Sequence, residues 1–428
     1  MKLKLFVFWF AFLSSFCYIT YAQPSFLDSA FGANGVVITT LNNSESGSFT
    51  SVIVKPDHKI ISGGSMICRY NEDGTLDNSF AVHGIITGMY SHGLALQSDG
   101  KILTVYGEKI CCLNINGMLD NTFGNGGIDS TINFWPDYGG SAIALQPDGK
   151  IIIAGISNST SLGVGRLLPN GIADSTFGSN GLVIISAPDG QASGVVIMPD
   201  GRIVVAGSST FYQSFMTVRF QPDGTIDTSF NHTGIVLTNA GDYYSASGSS
   251  IQLQNDGKVV VAGNARYTGQ GLNFVLLRYD TNGTLDRTFG DTGVVNIDFN
   301  DGDDEATALC IAGNGQIIVA GFANSRFGLT RINSNGNIDS SFGNNGEIIS
   351  TIQDGNDIPR ALALQYDKKI VVAGSSYNNV KMETDPTLAR YIAVPSARVL
   401  QLINHSGKSI LFPNPSAGVL YFNQLSPS

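Results

Sequence analysis

Basic residues are sparse and nowhere clustered. The chain carries 24 Lys and Arg against 34 Asp and Glu, for a formal net charge of −10. It therefore lacks the basic stripe that a nucleic-acid binder needs to meet phosphates, and that class of partner is excluded. Cysteine is limited to five residues with no C-x-x-C pair, which removes zinc knuckles and thioredoxin-like redox motifs. Cys17 falls in an N-terminal apolar run, while Cys68, Cys111, Cys112 and Cys310 lie in strand-like segments. Small buried thiols are the expected outcome, with a Cys68–Cys111 bridge as the alternative in an exported chain. There is no G-x-S-x-G elbow, H-E-x-x-H helix, Walker loop or G-x-G-x-x-G fingerprint. The five histidines, His58, His83, His92, His232 and His405, are scattered. Helical periodicity is missing as well, so the chain reads as all-β.

What the chain has in quantity is glycine, 51 residues, and one recurring hairpin. The stretch SAIALQPDGKIIIAG, Ser141–Gly155, brings an apolar run to an Asp148-Gly149 turn, from which a second β-branched run departs. Asp-Gly tolerates the positive φ of a tight turn, so this predicts a β-hairpin. Six further copies follow the same plan: SVIVKPDHKIISGG, LALQSDGKILTVYG, VVIMPDGRIVVAG, IQLQNDGKVVVAG, LCIAGNGQIIVAG and LALQYDKKIVVAG.

A second signature alternates with the first. Asp-x-x-Phe with a Gly four residues after the Phe occurs at Asp28/Phe31/Gly35, Asp77/Phe80/Gly84, Asp120/Phe123/Gly127, Asp174/Phe177/Gly181, Asp227/Phe230/Gly234, Asp286/Phe289/Gly293 and Asp339/Phe342/Gly346. Successive Asp residues are 43 to 59 apart, the length of a propeller blade and too long for a leucine-rich or ankyrin unit. An Arg precedes the Asp by eight residues in five units: Arg69, Arg166, Arg219, Arg278 and Arg331. Arg390 fills this place in the seventh unit, and Cys112 replaces it in the second. A feature repeated in every unit reads as a scaffold device. The Asp is expected to accept backbone N–H bonds in its turn and to pair with the Arg, while the Phe wedges between blades.

Each unit offers four strands, a to d; in the third they are 141–146, 150–154, 163–167 and 181–185. Seven such units predict a seven-bladed β-propeller of four-stranded antiparallel blades. A d-type strand at 36–40 precedes any a strand, and the last unit has a, b and c strands but no d. The N-terminal strand is thus expected to complete the last blade and close the ring, leaving no open edge. An open superhelical stack of sheets is the competing arrangement.

Lys2 and Lys4 precede an uncharged apolar run that ends Thr20-Tyr21-Ala22. That is the pattern of a secretory signal peptide cleaved after Ala22, and the rest of the chain has no apolar stretch long enough for a membrane helix. The expected organisation is a signal peptide over 1–22, the propeller over 23–392, a linker over 393–410 and a tail over 411–428.

The run ALQPDGKIIIAG, with its later Arg, Asp-Gly and Leu-Asp-x-Thr-Phe-Gly, resembles the delta-60 repeat of bacterial surface and secreted proteins. The likeness extends from about Leu27 to Tyr391. His58 and Lys368 replace the turn glycine in units one and seven, and unit seven lacks the final Asp-x-x-Phe. The resemblance implies a propeller and an exported location, and brings no catalytic residues. In the tail, LFPNPSAGVLY resembles the opening of a type IX secretion sorting domain. That likeness implies delivery to the surface of a Gram-negative bacterium or into the medium, or a periplasmic location should the tail not act as a signal.

The d–a and b–c connections vary in length and share one face, which makes that face the candidate ligand site. Its d–a loops carry Trp135, Asp137 and Tyr138; Asp189; Asp242, Tyr243 and Tyr244; and Asp354 and Asp357. Aromatics beside carboxylates suit glycans, where rings stack on sugar faces and carboxylates accept hydroxyl protons. Solvated loops on an acidic protein are the competing account. Asp298, Asp301, Asp303 and Asp304 crowd one further loop. Their oxygens suit Ca²⁺ chemically, although the spacing fails the EF-hand pattern. The resulting expectation is a monomeric, non-enzymatic binding or structural module for a glycan or surface protein, without an obligatory cofactor. A carbohydrate-active enzyme, a hydrolase or lyase using carboxylates of that face, is the alternative.

Overall fold

The computed structural model describes residues 26–392 except 41–45, 107–108, 130–141, 158–160, 187–188, 210–212, 242–244, 270, 300–301 and 354, and the strands Leu400–Ile403 and Ser409–Phe412. The repeated hairpin forms because its turn conformation is met in every unit. Gly149 sits at φ +83°, its amide bonds the Gln146 carbonyl at 2.9 Å, and the Asp148 carboxylate accepts the Lys150 amide at 3.1 Å. His58 and Lys368, which replace the glycine, adopt the same left-handed backbone at φ 65° and 68°. The turn thus survives without glycine, at a cost in strain of the order of 1 kcal/mol each.

Seven four-stranded antiparallel sheets result, each ordered a, b, c, d. Blades 1 to 6 span 49–86, 91–129, 142–185, 191–238, 246–297 and 304–350. Blade 7 takes its a, b and c strands from Asp357–Leu364, Ile370–Asn378 and Glu383–Tyr391. Its fourth strand is Val36–Ile38, paired antiparallel with Val36 opposite Ala389 and Ile38 opposite Thr387. The chain is a seven-bladed propeller closed by its own N-terminal strand. The a strands of successive blades pack on one another all the way round, including blade 7 on blade 1.

Burial follows this geometry. Strands b and c of blade 4, Ile203–Ser209 and Ser214–Phe220, are buried along their whole length. Strands a and d alternate or are partly exposed, because one faces the axis and the other the rim. The core is accordingly not one body but a set of layers between neighbouring sheets. Val204, Phe230, Val261 and Leu277 belong to the layer between blades 4 and 5, and Phe49, Tyr70, Val371 and Leu388 to the layer between blades 7 and 1. Strand a slips register by one residue in several blades, as between Ala192 and Gly194. Opposite that bulge stands Gly207, where a Cβ would overlap the Gln191 carbonyl. The Ala-Gly ending of strand b has a steric reason.

Cys68, Cys111, Cys112 and Cys310 are all free thiols, so the Cys68–Cys111 bridge is not formed. Burial pushes the thiols of Cys68 and Cys310 up to about 12 and that of Cys111 up to about 11. Apart from the propeller, Leu400–Ile403 and Ser409–Phe412 form a two-stranded antiparallel hairpin across the expected boundary at 410/411.

Phe31, Phe80, Phe177, Phe230, Phe289 and Phe342 have no exposed surface, and Phe123 has 2%. Replacing Phe177 by Ala empties an inter-blade layer. It is expected to cost about 3–5 kcal/mol, the usual penalty for an aromatic core site, as measured by denaturant unfolding. An unchanged midpoint would refute the wedge role.

Candidate functional site

Two faces of the ring differ in kind. On the face of the a–b and c–d turns, the Asp-x-x-Phe turns of every blade but the second pair their Asp with an Arg in a common joint. In Asp227 one carboxylate oxygen, Oδ1, accepts the Ser229 amide at 3.1 Å and the Ser229 hydroxyl at 2.6 Å. The other, Oδ2, accepts Arg219 Nε at 2.6 Å and Arg202 Nη1 at 3.3 Å. The Arg219 guanidinium lies 4.5 Å over the Phe230 ring, donates Nη2 to Ser229 Oγ, and donates Nη1 to the Thr281 carbonyl of the next blade. Equivalent arginines stack on Phe80, Phe177, Phe289, Phe342 and Phe31 at 4.5 to 4.8 Å. Arg69 and Arg278 pair with Asp77 and Asp286 at 2.7 and 2.9 Å. Arg166 faces Asp174 at 2.9 Å, and Arg331 meets Asp339 at 2.8 Å.

Two members of this joint went unread in the sequence. The first is the Ser or Thr two residues after each Asp from Asp77 onward, whose hydroxyl caps the carboxylate. The second is the basic residue opening strand b. Lys59, Lys101, Lys150, Arg202, Lys258 and Lys369 each approach the Asp of their own blade. Gln316 takes this role in blade 6. The signal was present as the residue directly after the Asp-Gly turn, where its periodic recurrence could have been noticed.

On the opposite face, the described d–a and b–c loops of blades 6 and 7 enclose a groove of about 450 Å³. Asn324, Arg326, Gln353, Asn356 and Tyr377 line it, so one aromatic stands among hydrogen-bonding side chains. The loops are pinned from below. The Asp357 amide bonds the Ser325 carbonyl at 3.1 Å, and the Tyr377 amide bonds the Asn356 carbonyl at 2.9 Å. Asp357 itself is fully buried. It accepts the Ile352 amide at 2.7 Å, the Gln353 amide at 3.3 Å and the Ser376 hydroxyl. Burial raises its carboxyl above the ordinary value, against those hydrogen bonds.

Asp304 does the same in the preceding blade, taking the Phe299 amide at 2.8 Å on Oδ2 and the Asn324 amide at 3.2 Å on Oδ1. Both oxygens are occupied by backbone, so this residue holds a loop rather than an ion. Asp303 is exposed, accepts the Leu272 amide at 2.9 Å and lies 3.5 Å from Arg266. Asp298 is half-buried, and Asp301 lies outside the described residues. Among the described residues, no three His, Cys, Asp or Glu side chains converge as a metal site would require. Asp189 is half-buried beside Ser209, whose hydroxyl reaches it at 3.4 Å. Trp135, Asp137, Tyr138, Asp242, Tyr243, Tyr244 and Asp354 lie outside the described residues. Tyr377 and Arg326 were missed because they sit at the strand ends flanking b–c turns, where only loop variability, and no motif, marks them.

Five stretches, residues 55–80, 146–177, 199–230, 254–289 and 312–342, match the family model of a domain of unknown function (DUF5122) beta-propeller. Those five stretches are similar to the repeats of that propeller family. Each matched stretch ends at the Phe of its joint, so the likeness follows the turns and strands b and c and leaves out the variable d–a loops. Unit two, with Cys112 in place of the arginine of the other units, and unit seven lie outside the matched stretches. Virginiamycin B lyase from Staphylococcus aureus is similar in fold. A catalytically inactive form with quinupristin superposes with a TM-score of 0.52 at 14% identity, covering 83% of this chain and 98% of the lyase. A selenomethionine form gives 0.50 at 14% identity with the same coverage. At that identity only the propeller architecture is shared. No curated protein is similar enough in sequence to match.

The joints set the pH dependence of stability. Burial alone would raise Asp227, but Ser229, Arg219 and Arg202 outweigh it and hold the carboxyl at about 2. Lys101 and Thr122 hold Asp120 at about 2. Asp28, Asp77, Asp174, Asp286 and Asp339 are lowered too. A carboxyl at 3.8 when unfolded and lower when folded contributes stability that is complete above 3.8 and lost as pH falls through the folded value. Asp304, Asp357 and Glu347, raised by burial, act in the opposite sense but are only three. Melting followed by circular dichroism is expected to be flat between about pH 5 and 7 and to drop steeply below about 4. A melting temperature that climbs on acidification to about pH 3 would contradict this assignment.

Proposed function

We propose that this chain is an exported, non-enzymatic propeller that binds a polyhydroxylated ligand such as a glycan on its d–a and b–c loop face. The supporting observation is the groove between blades 6 and 7, where Tyr377 stands beside Arg326, Gln353, Asn324 and Asn356. A sugar offers an apolar ring face to an aromatic and hydroxyls to amides and a guanidinium, which is the composition of this lining. The loops beneath are tied by backbone bonds and by buried Asp357, so little ordering cost attends binding. Export is supported by the Lys2–Ala22 leader, and surface delivery by the likeness of the 411–421 segment to a sorting domain.

An enzymatic reading would need two carboxyl groups open to substrate across a scissile bond. The carboxyls raised by burial on this side, Asp304 and Asp357, have no exposed surface and serve backbone donors. That favours binding over catalysis. The lyase with the similar fold is catalytic, but at 14% identity its chemistry is not carried across.

A glycan array with the mature chain is expected to return a defined set of polysaccharides. Tyr377→Ala should weaken binding to them about tenfold, equivalent to ~1.4 kcal/mol, with unchanged melting. No product should appear on prolonged incubation. Binding unaffected by Tyr377→Ala would move the site elsewhere, and new reducing ends or unsaturated products would establish the enzyme instead.

A further inference from the structure

Blade 2 breaks the rule that the other blades keep. Where they place a guanidinium, it places Cys112, yet every group that receives the guanidinium is retained. Asp120 keeps its turn, with Thr122 donating its amide at 3.1 Å and its hydroxyl at 2.7 Å to Oδ1. Phe123 supplies the ring face, and Thr122 Oγ the equivalent of Ser229 Oγ. The Arg Nη1 acceptors in blades 1, 3, 4 and 5 are the carbonyls of Ile115, Pro222, Thr281 and Ser334. Each is the residue two before the turn glycine of the next blade, and Pro169 holds that position facing blade 2.

The short side chain leaves this receiving set open. A cavity of about 310 Å³ between blades 2 and 3 is lined by Cys112, Asp120, Thr122, Phe123, Lys101 and Pro169, among others. The corresponding cavity between blades 3 and 4 is lined by Arg166, and neither Asp174 nor Phe177 reaches it. The guanidinium there covers the carboxylate and the ring; in blade 2 both belong to the wall. Cys112 does not replace the missing charge. Its thiol stays protonated, pushed up to about 12 by burial and by Asp120, and its Sγ is 4.0 Å from Asp120 Oδ2. Lys101 Nζ sits 2.8 Å from that oxygen. In blade 5 the same lysine position, Lys258 at 2.9 Å, coexists with a guanidinium on the same carboxylate oxygen, so its presence does not fill the place.

We infer that the cavity between blades 2 and 3 is a receptor for a guanidinium group presented from outside, namely an arginine side chain of a partner polypeptide. The carboxylate, the ring face, the hydroxyl and the carbonyl are already in the arrangement that holds an internal arginine in the other blades. A planar cation with forked donors is therefore selected over an ammonium. Asp120 gains a second cationic partner, as Asp227 has in Arg219 and Arg202.

Calorimetric titration of the full chain with methylguanidinium, urea, N-acetyl-arginine amide and N-acetyl-lysine amide tests this. Saturable binding is expected for methylguanidinium and the blocked arginine, weak as befits ligands of few atoms, with none for urea. The blocked lysine should bind at least about tenfold more weakly than the arginine. Cys112→Arg fills the place from within, so it should abolish binding and raise the melting temperature. Thr122→Val, which removes one acceptor, should weaken binding about threefold while the chain stays folded. Equal binding of arginine and lysine, or of guanidinium and urea, overturns the inference without any variant. So does binding that persists in a folded Cys112→Arg chain. Methylguanidinium binding without the blocked arginine would overturn the partner side chain as occupant.

Discussion

A guanidinium clamped between a carboxylate and a phenyl ring, its outer nitrogen resting on the next blade's carbonyl, is the contact on which the ring depends. Removing a charge from water is costly, and only a full set of partners offsets it. Arg219 has that set: Asp227, Ser229, the Phe230 face and the Thr281 carbonyl. Because the set spans two blades, the charge is satisfied only when neighbouring sheets stand at the right separation. The hydrophobic layers supply the bulk of the attraction but no direction. The joints supply spacing and angle, repeated around the circle.

The same device is the clasp. Arg390, at the end of the last strand c, bonds Asp28 at 2.9 Å across 362 residues of sequence, and its Nη1 reaches the Glu72 carbonyl of blade 1. The N-terminal strand therefore joins blade 7 by its ladder and by the Asp–Arg pair of the joint, whose Arg also links blades 1, 3, 4 and 5 to the blade that follows each. An open stack would leave Arg390 and Asp28 each buried at an edge without a partner. Closure removes that penalty along with the exposed strand edges.

Uniformity on one face frees the other. The turns bearing Asp, Ser or Thr, Lys and Phe cannot vary without disturbing the ring. The d–a and b–c loops are held at their bases and can differ from blade to blade. Tyr377, Arg326 and Gln353 form a groove from loops of two blades, and a single blade could not have made it. The departure at Cys112 shows the converse on the conserved face: where one member of the joint is missing, the remaining members become a surface with its own recognition chemistry.

Blade number and strand order could be read from residue order alone. Period, turn chemistry and alternation are local properties, and the lone d strand at the start pointed to closure over an open stack, which the pairing of Val36–Ile38 with the last strand c decides. The Asp and Phe of each joint were legible because they recur. The Ser or Thr cap and the strand-b Lys were equally periodic, yet their role appears only when the carboxylate is seen from both sides. Other features depended on the tertiary structure. The stacking of Arg on Phe joins residues eleven apart through a turn whose path the sequence does not specify. The groove at Tyr377 and the open place beside Cys112 each form between two sheets. Such sites are set by how blades meet, and residue spacing within one blade carries no record of that distance.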